Sequence, residues 1–283
     1  MTVLSGKLTL VGTPIGNLND FSPRALEALE ECDFIAAEDT RVTLKLLTHF
    51  GVKKPLVSYH EHNKRERGAV LCDRMAAGEN AVLVTDAGMP AISDPGEDLV
   101  ALCYERGIPV SAVPGPTAMA TALALSGLPV SRFTFEGFLS TANRSRREHL
   151  ASLAGEERTM VFYEAPHKLL TTLQDLLSAL GDRRVALVRE MTKVHEEVRR
   201  TTLSEAVAYY TAQPPRGEFV LVVEGAAPSA KADRALPEDA AALARGYMAA
   251  GASASAAAKQ AAAVTGQKKS EIYKLLIQED ESC

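Results

Sequence analysis

The sequence predicts an α/β protein built on a mostly parallel sheet, continued by a second α/β unit and closed by a small helical module. Three observations predict it. Short β-branched apolar runs alternate with helical patterns from residue 8 onward; several of those runs end in loops bearing glycine and proline; and after Glu224-Gly225 the composition turns to alanine and proline. A chain of 283 residues that is 46% hydrophobic and 24% charged has material for more than one core, which excludes disorder, collagen and coiled coil as whole-chain descriptions.

The elements follow in order. Residues 8–11 form a buried strand, and a glycine- and proline-bearing loop runs from Gly12 to Asn19. Ser22-Pro23 is an N-cap with proline at the first helical position, opening a helix to residue 29. A strand at 34–37 precedes a helix at 42–50, with Gly51 just past its end. A short strand at 56–58 leads to a helix at 64–77 that stops at Gly78. Strands at 81–85 and 109–113 flank a helix at 98–106, and an alanine-rich helix covers 117–125. In the second unit, strands are expected at 134–138, 159–163, 185–188 and 219–223, with helices at 145–154, 167–180 and 203–210. Gly127-Leu128-Pro129 divides the two units, giving expected domains at 1–128 and 129–225. Residues 226–238 form a linker, and 239–283 carry three short helical patterns, at about 238–250, 253–264 and 268–278.

The net charge of −5, from 31 basic and 36 acidic residues, argues against a nonspecific coat for nucleic acid. It leaves room for a local basic face. Cys32, Cys72, Cys103 and Cys283 make no CxxC pair and have no histidines at zinc spacing, so neither a disulfide framework nor a metal site is expected. No basic segment followed by an apolar stretch opens the chain, and no uncharged apolar run reaches the roughly 20 residues that span a bilayer. These features point to a cytoplasmic protein without a membrane partner.

Open α/β sheets hold ligands beyond the carboxyl ends of their strands. Three loops meet that requirement: GTPIGNL at 12–18, DAGMP at 86–90 continuing to Asp94-Pro95-Gly96, and PGPTA at 114–118. Each taken alone is also compatible with a tight strand-to-helix turn. Neither GxGxxG nor GxxxxGK[ST] occurs, which removes the main support for dinucleotide or P-loop chemistry.

Nine motifs in register, TPIGNL (13–18), AEDTR (37–41), YHEHN (59–63), DAGMPAISDPG (86–96), PGPTA (114–118), FEGFL (135–139), FYEAPHK (162–168), REMTKVHEE (189–197) and RGEFVLVVEG (216–225), resemble the tetrapyrrole methylase superfamily. Within it they are most similar to the bacterial 2′-O-methyltransferases of small-subunit ribosomal RNA. The resemblance implies a two-domain class III methyltransferase fold, usually homodimeric, with S-adenosylmethionine folded into the cleft between its domains. The activity it implies is methylation of a cytidine ribose in 16S RNA near the decoding site. By motif, Asp86, Gly88, Met89 and Pro90 would line the methionine and ribose side of the cofactor, and Thr117 and Ala118 would continue that wall. Phe162 or Tyr163, with the backbone around Met191, would cover the adenine. Lys168 stands where the family motif more often ends in arginine, which keeps a charge for phosphate but loses the bidentate geometry.

A ribose hydroxyl is a poor nucleophile until it loses its proton, so a general base is expected. Glu164 and Glu190, at the ends of apolar strand runs, are the favoured candidates; the alternative is that they cap a helix or pair with Arg189. Glu38-Asp39-Thr40-Arg41 is either a metal-ligand set or the N-cap of the following helix, with Arg41 directed to RNA or a dimer partner. RNA contact is expected at Arg144, Arg146 and Arg147, and at Lys268 and Lys269 at the start of the last helix. That last module is similar to a helix-turn-helix, or else is a plain three-helix packing unit. Two other functions compete: C-methylation of a corrin precursor, and a ligand-responsive DNA-binding regulator.

Overall fold

A computed structural model describes residues 5–227, 237–265 and 267–280. Most of the expected linker, residues 228–236, lies outside the described residues, as do Gly266 and Cys283. Residues 1–225 form one compact unit and 226–283 a second.

The first five strands are β1 (Leu8–Val11), β2 (Phe34–Ala37), β3 (Leu56–Ser58), β4 (Ala81–Val84) and β5 (Val110–Val113). They make an all-parallel sheet in the order β3-β2-β4-β1-β5. Parallel neighbours need crossovers, which are supplied by α1 (Pro23–Glu31), α2 (Thr40–Phe50), α3 (Lys64–Ala76) and α4 (Glu97–Glu105). Ser22 caps α1 by accepting from the Ala25 N–H, and Asp39 caps α2 by accepting from the Arg41 N–H. Apolar side chains are buried on both faces of the sheet: Phe34, Leu71, Met75 and Leu99 on one, Leu29, Ile35, Leu47 and Val82 on the other. Strands covered on both faces read as unbroken apolar runs, which is why FIAA and AVLV are fully buried.

The second sheet is mixed in direction, which the reading of the second α/β unit left open. Its strands β6 (Phe133–Phe138), β7 (Thr159–Glu164), β8 (Arg184–Arg189), β9 (Glu197–Thr202) and β10 (Phe219–Val223) lie in the order β6-β7-β10-β8-β9. Only β6 and β7 are parallel; β10 runs antiparallel between β7 and β8, and β9 pairs antiparallel with β8. The mostly parallel architecture therefore stops at the first sheet. Strand β9, EVRRTT, was not foreseen, because a charged edge strand carries no apolar run.

Helices α6 (Asn143–Ser152), α7 (Pro166–Leu180) and α8 (Leu203–Ala212) cover one face of this sheet. On α7, Leu169, Leu173, Leu176 and Leu180 recur at helical spacing and are at most 9% exposed, each contributing roughly 1.5–3 kcal/mol of burial. The opposite face is covered by α5 (Ala118–Ser126), through Ala122 and Leu123 against Val161, Val188 and Val220. Helix α5 follows β5 of the first sheet, so this packing ties the two sheets into one unit.

In the second unit, α9 (Pro237–Ala249), α10 (Ala254–Thr265) and α11 (Lys269–Asp280) pack on one another. Their shared core is Ala240, Ala244, Ala257, Ala258, Ala261, Ile272 and Leu276. Alanine at the contacts lets the backbones approach closely.

Candidate active site

The loops beyond β1, β4 and β5 converge. Thr13 and Gly88 exchange backbone hydrogen bonds, Thr13 N–H to Gly88 O at 2.9 Å and Gly88 N–H to Thr13 O at 3.1 Å. Gly12 and Gly115 touch backbone to backbone: a Cβ built on Gly12 would lie 2.7 Å from the Gly115 Cα. The EDTR loop after β2 is stitched on from the side. Glu38 accepts the Thr85 hydroxyl at 2.6 Å, and the Asp39 N–H donates to Asp86 Oδ1 at 3.1 Å.

These loops and the ends of β7, β8 and β10 enclose a cavity of about 350 Å³. One wall is acidic, with Glu38, Asp86 and Asp94; another is apolar, with Ile15, Met89, Met191 and Val220. Burial pushes the Asp86 carboxyl up, with Glu38 adding repulsion, and pushes Asp94 up to about 6. Phe138, 59% exposed, stands at the rim with its ring 5.5 Å from that of Tyr163.

Of the expected cofactor residues, Asp86, Gly88, Met89, Thr117, Ala118, Tyr163 and Met191 line this cavity. Pro90 is buried and is not among the lining residues. Phe162 is a correction: alternation along β7 turns it to the opposite face, where it is fully buried among the leucines of α7. Tyr163 also fixes α5, since its hydroxyl accepts the Met119 N–H at 3.0 Å. Tyr163→Phe is expected to lower the unfolding free energy by about 1 kcal/mol, read from urea denaturation.

The expected catalytic carboxylates, Glu164 and Glu190, both line the cavity, and both are engaged. Glu164 is 4% exposed and accepts from the Ala165 N–H and the Thr172 hydroxyl. Glu190 accepts from Lys193 Nζ at 2.9 Å and from the Glu218 N–H at 3.1 Å. The Lys193 hydrogen bond is the main cause holding its carboxyl below the ordinary range. Its backbone is strained at φ 50°, and Gly217 makes room: a Cβ there would lie 2.5 Å from Glu190 Cγ.

The expected RNA contacts divide. Arg144 is 87% exposed and pairs with Glu148, one helical turn on; Arg147 is exposed. Arg146 is a correction: it is 13% exposed and occupied internally, donating to Asp175 at 2.7 Å and to Thr172 Oγ1 at 2.8 Å. Facing α7 rather than solvent, it is unsuited to bind phosphate. Arg41 is 87% exposed and paired with Asp39, Lys168 is half-buried in the first turn of α7, and Lys269 donates to Ser255 Oγ at 2.9 Å. Lys268 is 82% exposed, 4.0 Å from Glu271.

Among the described residues no group of His, Cys, Asp and Glu has the arrangement to hold a metal ion. Among them, too, no helix is long and apolar enough to cross a membrane. Sequence reasoning did not single out Glu38, Asp94, Phe138 or Lys193 for the cavity. Their signal was position: Glu38 follows β2, Lys193 lies in the turn after β8, Phe138 ends β6 and Asp94 lies in the loop after β4.

The profile of the Tetrapyrrole (Corrin/Porphyrin) Methylases matches residues 7–207. The chain is 50% identical over 277 residues to "Ribosomal RNA small subunit methyltransferase I" of Synechocystis sp., covering 96% of this chain and 98% of that protein. It is 49% identical to the protein of the same name from Thermotoga maritima, over 78% of this chain and 99% of that one. Among solved structures, Thermus thermophilus uroporphyrin-III C-methyltransferase complexed with S-adenyl homocysteine superposes with TM-score 0.54 at 21% identity, over 77% of this chain and 97% of that one. Diphthine synthase superposes with TM-score 0.58 at 16% identity, over 77% and 90%.

Proposed function

The chain belongs to the tetrapyrrole methylase family, in the group of ribosomal RNA small subunit methyltransferase I proteins, and from this we propose that it 2′-O-methylates a cytidine ribose of 16S RNA near the decoding site, using S-adenosylmethionine. The observation that carries the reading is the cavity itself. A cationic sulfonium donor suits a pocket walled by Glu38, Asp86 and Asp94, and a flat adenine suits the apolar side formed by Met191, Ile15 and Val220. Bound there, the donor supplies an activated methyl group. The backbone loops at Gly88 and at Thr117-Ala118 would hold it, and the aromatic pair of Tyr163 and Phe138 lines the same cavity. Orientation does most of the work, since transfer needs the attacking oxygen in line with the breaking bond. Exposed Phe138 offers a splayed-out cytosine a face to stack on, as single-stranded RNA recognition commonly requires.

Arg41, Arg144 and Arg147 contact RNA phosphates, Lys168 supports them, and Lys268 and Lys269 present the helical module to RNA or to the assembled subunit. The protein works in the cytoplasm as a homodimer. Corrin methylation is the weaker reading, because the solved corrin and porphyrin methylases match at about 20% identity against 44–50% for the ribosomal RNA group. The test is ribose-methylation mapping of ribosomal RNA from a strain lacking the gene. Loss of a single 2′-O-methylcytidine in 16S RNA, restored by complementation, is expected; an unchanged profile overturns the reading.

A further inference from the structure

The proposed transfer leaves open where the ribose proton goes, and the hydrogen bonding around the cavity narrows the choice. A carboxylate that already accepts backbone N–H groups or a lysine is stabilised as the anion and is a weak base. Glu190 is in that position through Lys193 and the Glu218 N–H. The Glu164 carboxylate is occupied by the Ala165 N–H and the Thr172 hydroxyl. Glu38 accepts the Thr85 hydroxyl and Asp86 accepts the Asp39 N–H.

Asp94 differs. Among the described residues no backbone N–H and no Lys or Arg reaches its carboxylate. Its hydroxyl neighbour is Thr85, which it shares with Glu38, the acceptor 2.6 Å from that hydroxyl. Asp94 is carried on a segment in which Ala91 and Ser93 hold left-handed backbone, φ 67° and 68°. Such conformations persist only where the surroundings enforce them, and here they accompany a polar side chain that lines the cavity.

We propose that Asp94 is the general base of the methyl transfer, taking the proton of the attacking ribose hydroxyl. This rests on the ribose-methylation reading above. In the step, the 2′-oxygen forms a bond to the donor methyl carbon while the C–S bond breaks and its electron pair stays on sulfur. The 2′-proton passes to the Asp94 carboxylate, and from there to water as the products leave. The groups facing Asp94 are Glu38 and Asp86 from the first sheet's loops and Tyr163 from β7. Glu38 and Asp86 raise the carboxylate's basicity, and contact with the Thr85 hydroxyl opposes them without offsetting burial. Burial raises it to about 6, which keeps the base ionised at neutral pH yet able to take a proton.

The experiment compares wild type, D94N and D94E on small ribosomal subunits from the deletion strain. It measures single-turnover methyl transfer from pH 5 to 9, binding of S-adenosylmethionine by calorimetry, and carboxyl titration by NMR of aspartate-labelled protein without ligand. Expected at saturating S-adenosylmethionine are a rate loss of about 10²-fold or more for D94N and partial recovery in D94E, with the rate loss exceeding any loss of cofactor affinity from removing one carboxylate of the acidic wall. The wild-type rate rises with pH through a midpoint near 6 and then levels. A carboxyl resonance titrating near 6 is missing from D94N. Full activity of D94N, or a rate loss matched by lost cofactor binding, overturns the assignment while leaving the methylation reading standing. An inactive wild type overturns both.

Discussion

Gly115→Ala is expected to weaken S-adenosylmethionine binding by about 2 kcal/mol, roughly thirtyfold in Kd. Gly115 follows β5 and Gly12 follows the adjacent β1, and the two loops meet with no side chain between them. A Cβ on Gly115 would stand 2.7 Å from Gly12 O and 2.8 Å from Gly12 Cα. Neither atom can move aside by changing rotamer, so the loops must separate. Met89 would shift with them, because its sulfur lies within 2.7 Å of where a Gly12 Cβ would be. The separation displaces Met89, Thr117 and Ala118, which line the cavity. The accompanying loss of folding stability is about 1–3 kcal/mol, the usual cost of overpacking. Gly155→Ala is the control, since nothing lies within 4 Å of a Cβ there. Calorimetric titration with S-adenosylmethionine and urea denaturation read both effects; an affinity within threefold of wild type would show that the backbone contact is dispensable.

Arg146→Ala is expected to destabilise the protein by about 2–3 kcal/mol, against about 0.5 kcal/mol or less for Arg144→Ala. The two arginines are two residues apart on α6 yet face different surroundings. Arg146 closes a chain of hydrogen bonds from Asp175 and Thr172 to the buried Glu164. Its removal leaves Asp175 without its cation and Thr172 without a donor next to an engaged carboxylate. Arg144 pairs with an exposed partner at i+4, an arrangement that contributes a few tenths of a kcal/mol. Urea midpoints of the two variants measure the contrast directly. Equal midpoints would mean that the α6–α7 network does not support the fold.

The first sheet was legible because parallel strands buried on both faces are unbroken apolar runs, as in FIAA at 34–37 (β2) and AVLV at 81–84 (β4). Cap chemistry was equally visible, with Ser22-Pro23 opening α1 and Gly51 closing α2 in left-handed conformation. Strand direction was not legible, since FVLVV at 219–223 carries the same pattern whichever way it runs. EVRRTT at 197–202 was invisible because it pairs along an edge and buries little. Site residues were legible as loops but not as single side chains. Phe162 and Tyr163 differ by one step of a two-residue alternation, which requires a known register. Arg144 and Arg146 look equivalent until the partner helix is in place. Asp94 became distinct only through what the surrounding donors leave unsatisfied, a property of the folded state alone.

The position of β10 has a consequence for biosynthesis. It is the last of the described strands to be made, yet it occupies the middle of its sheet, bonded to β7 on one side and β8 on the other. On a chain still being translated, the β6-β7 pair and the β8-β9 pair share no hydrogen bonds until residues 219–223 emerge. The acidic and apolar walls of the cavity therefore assemble only near the end of translation. A ribosome that stalls before that point releases a chain with two unpaired strand edges, a substrate for proteases and chaperones and not a partly active enzyme.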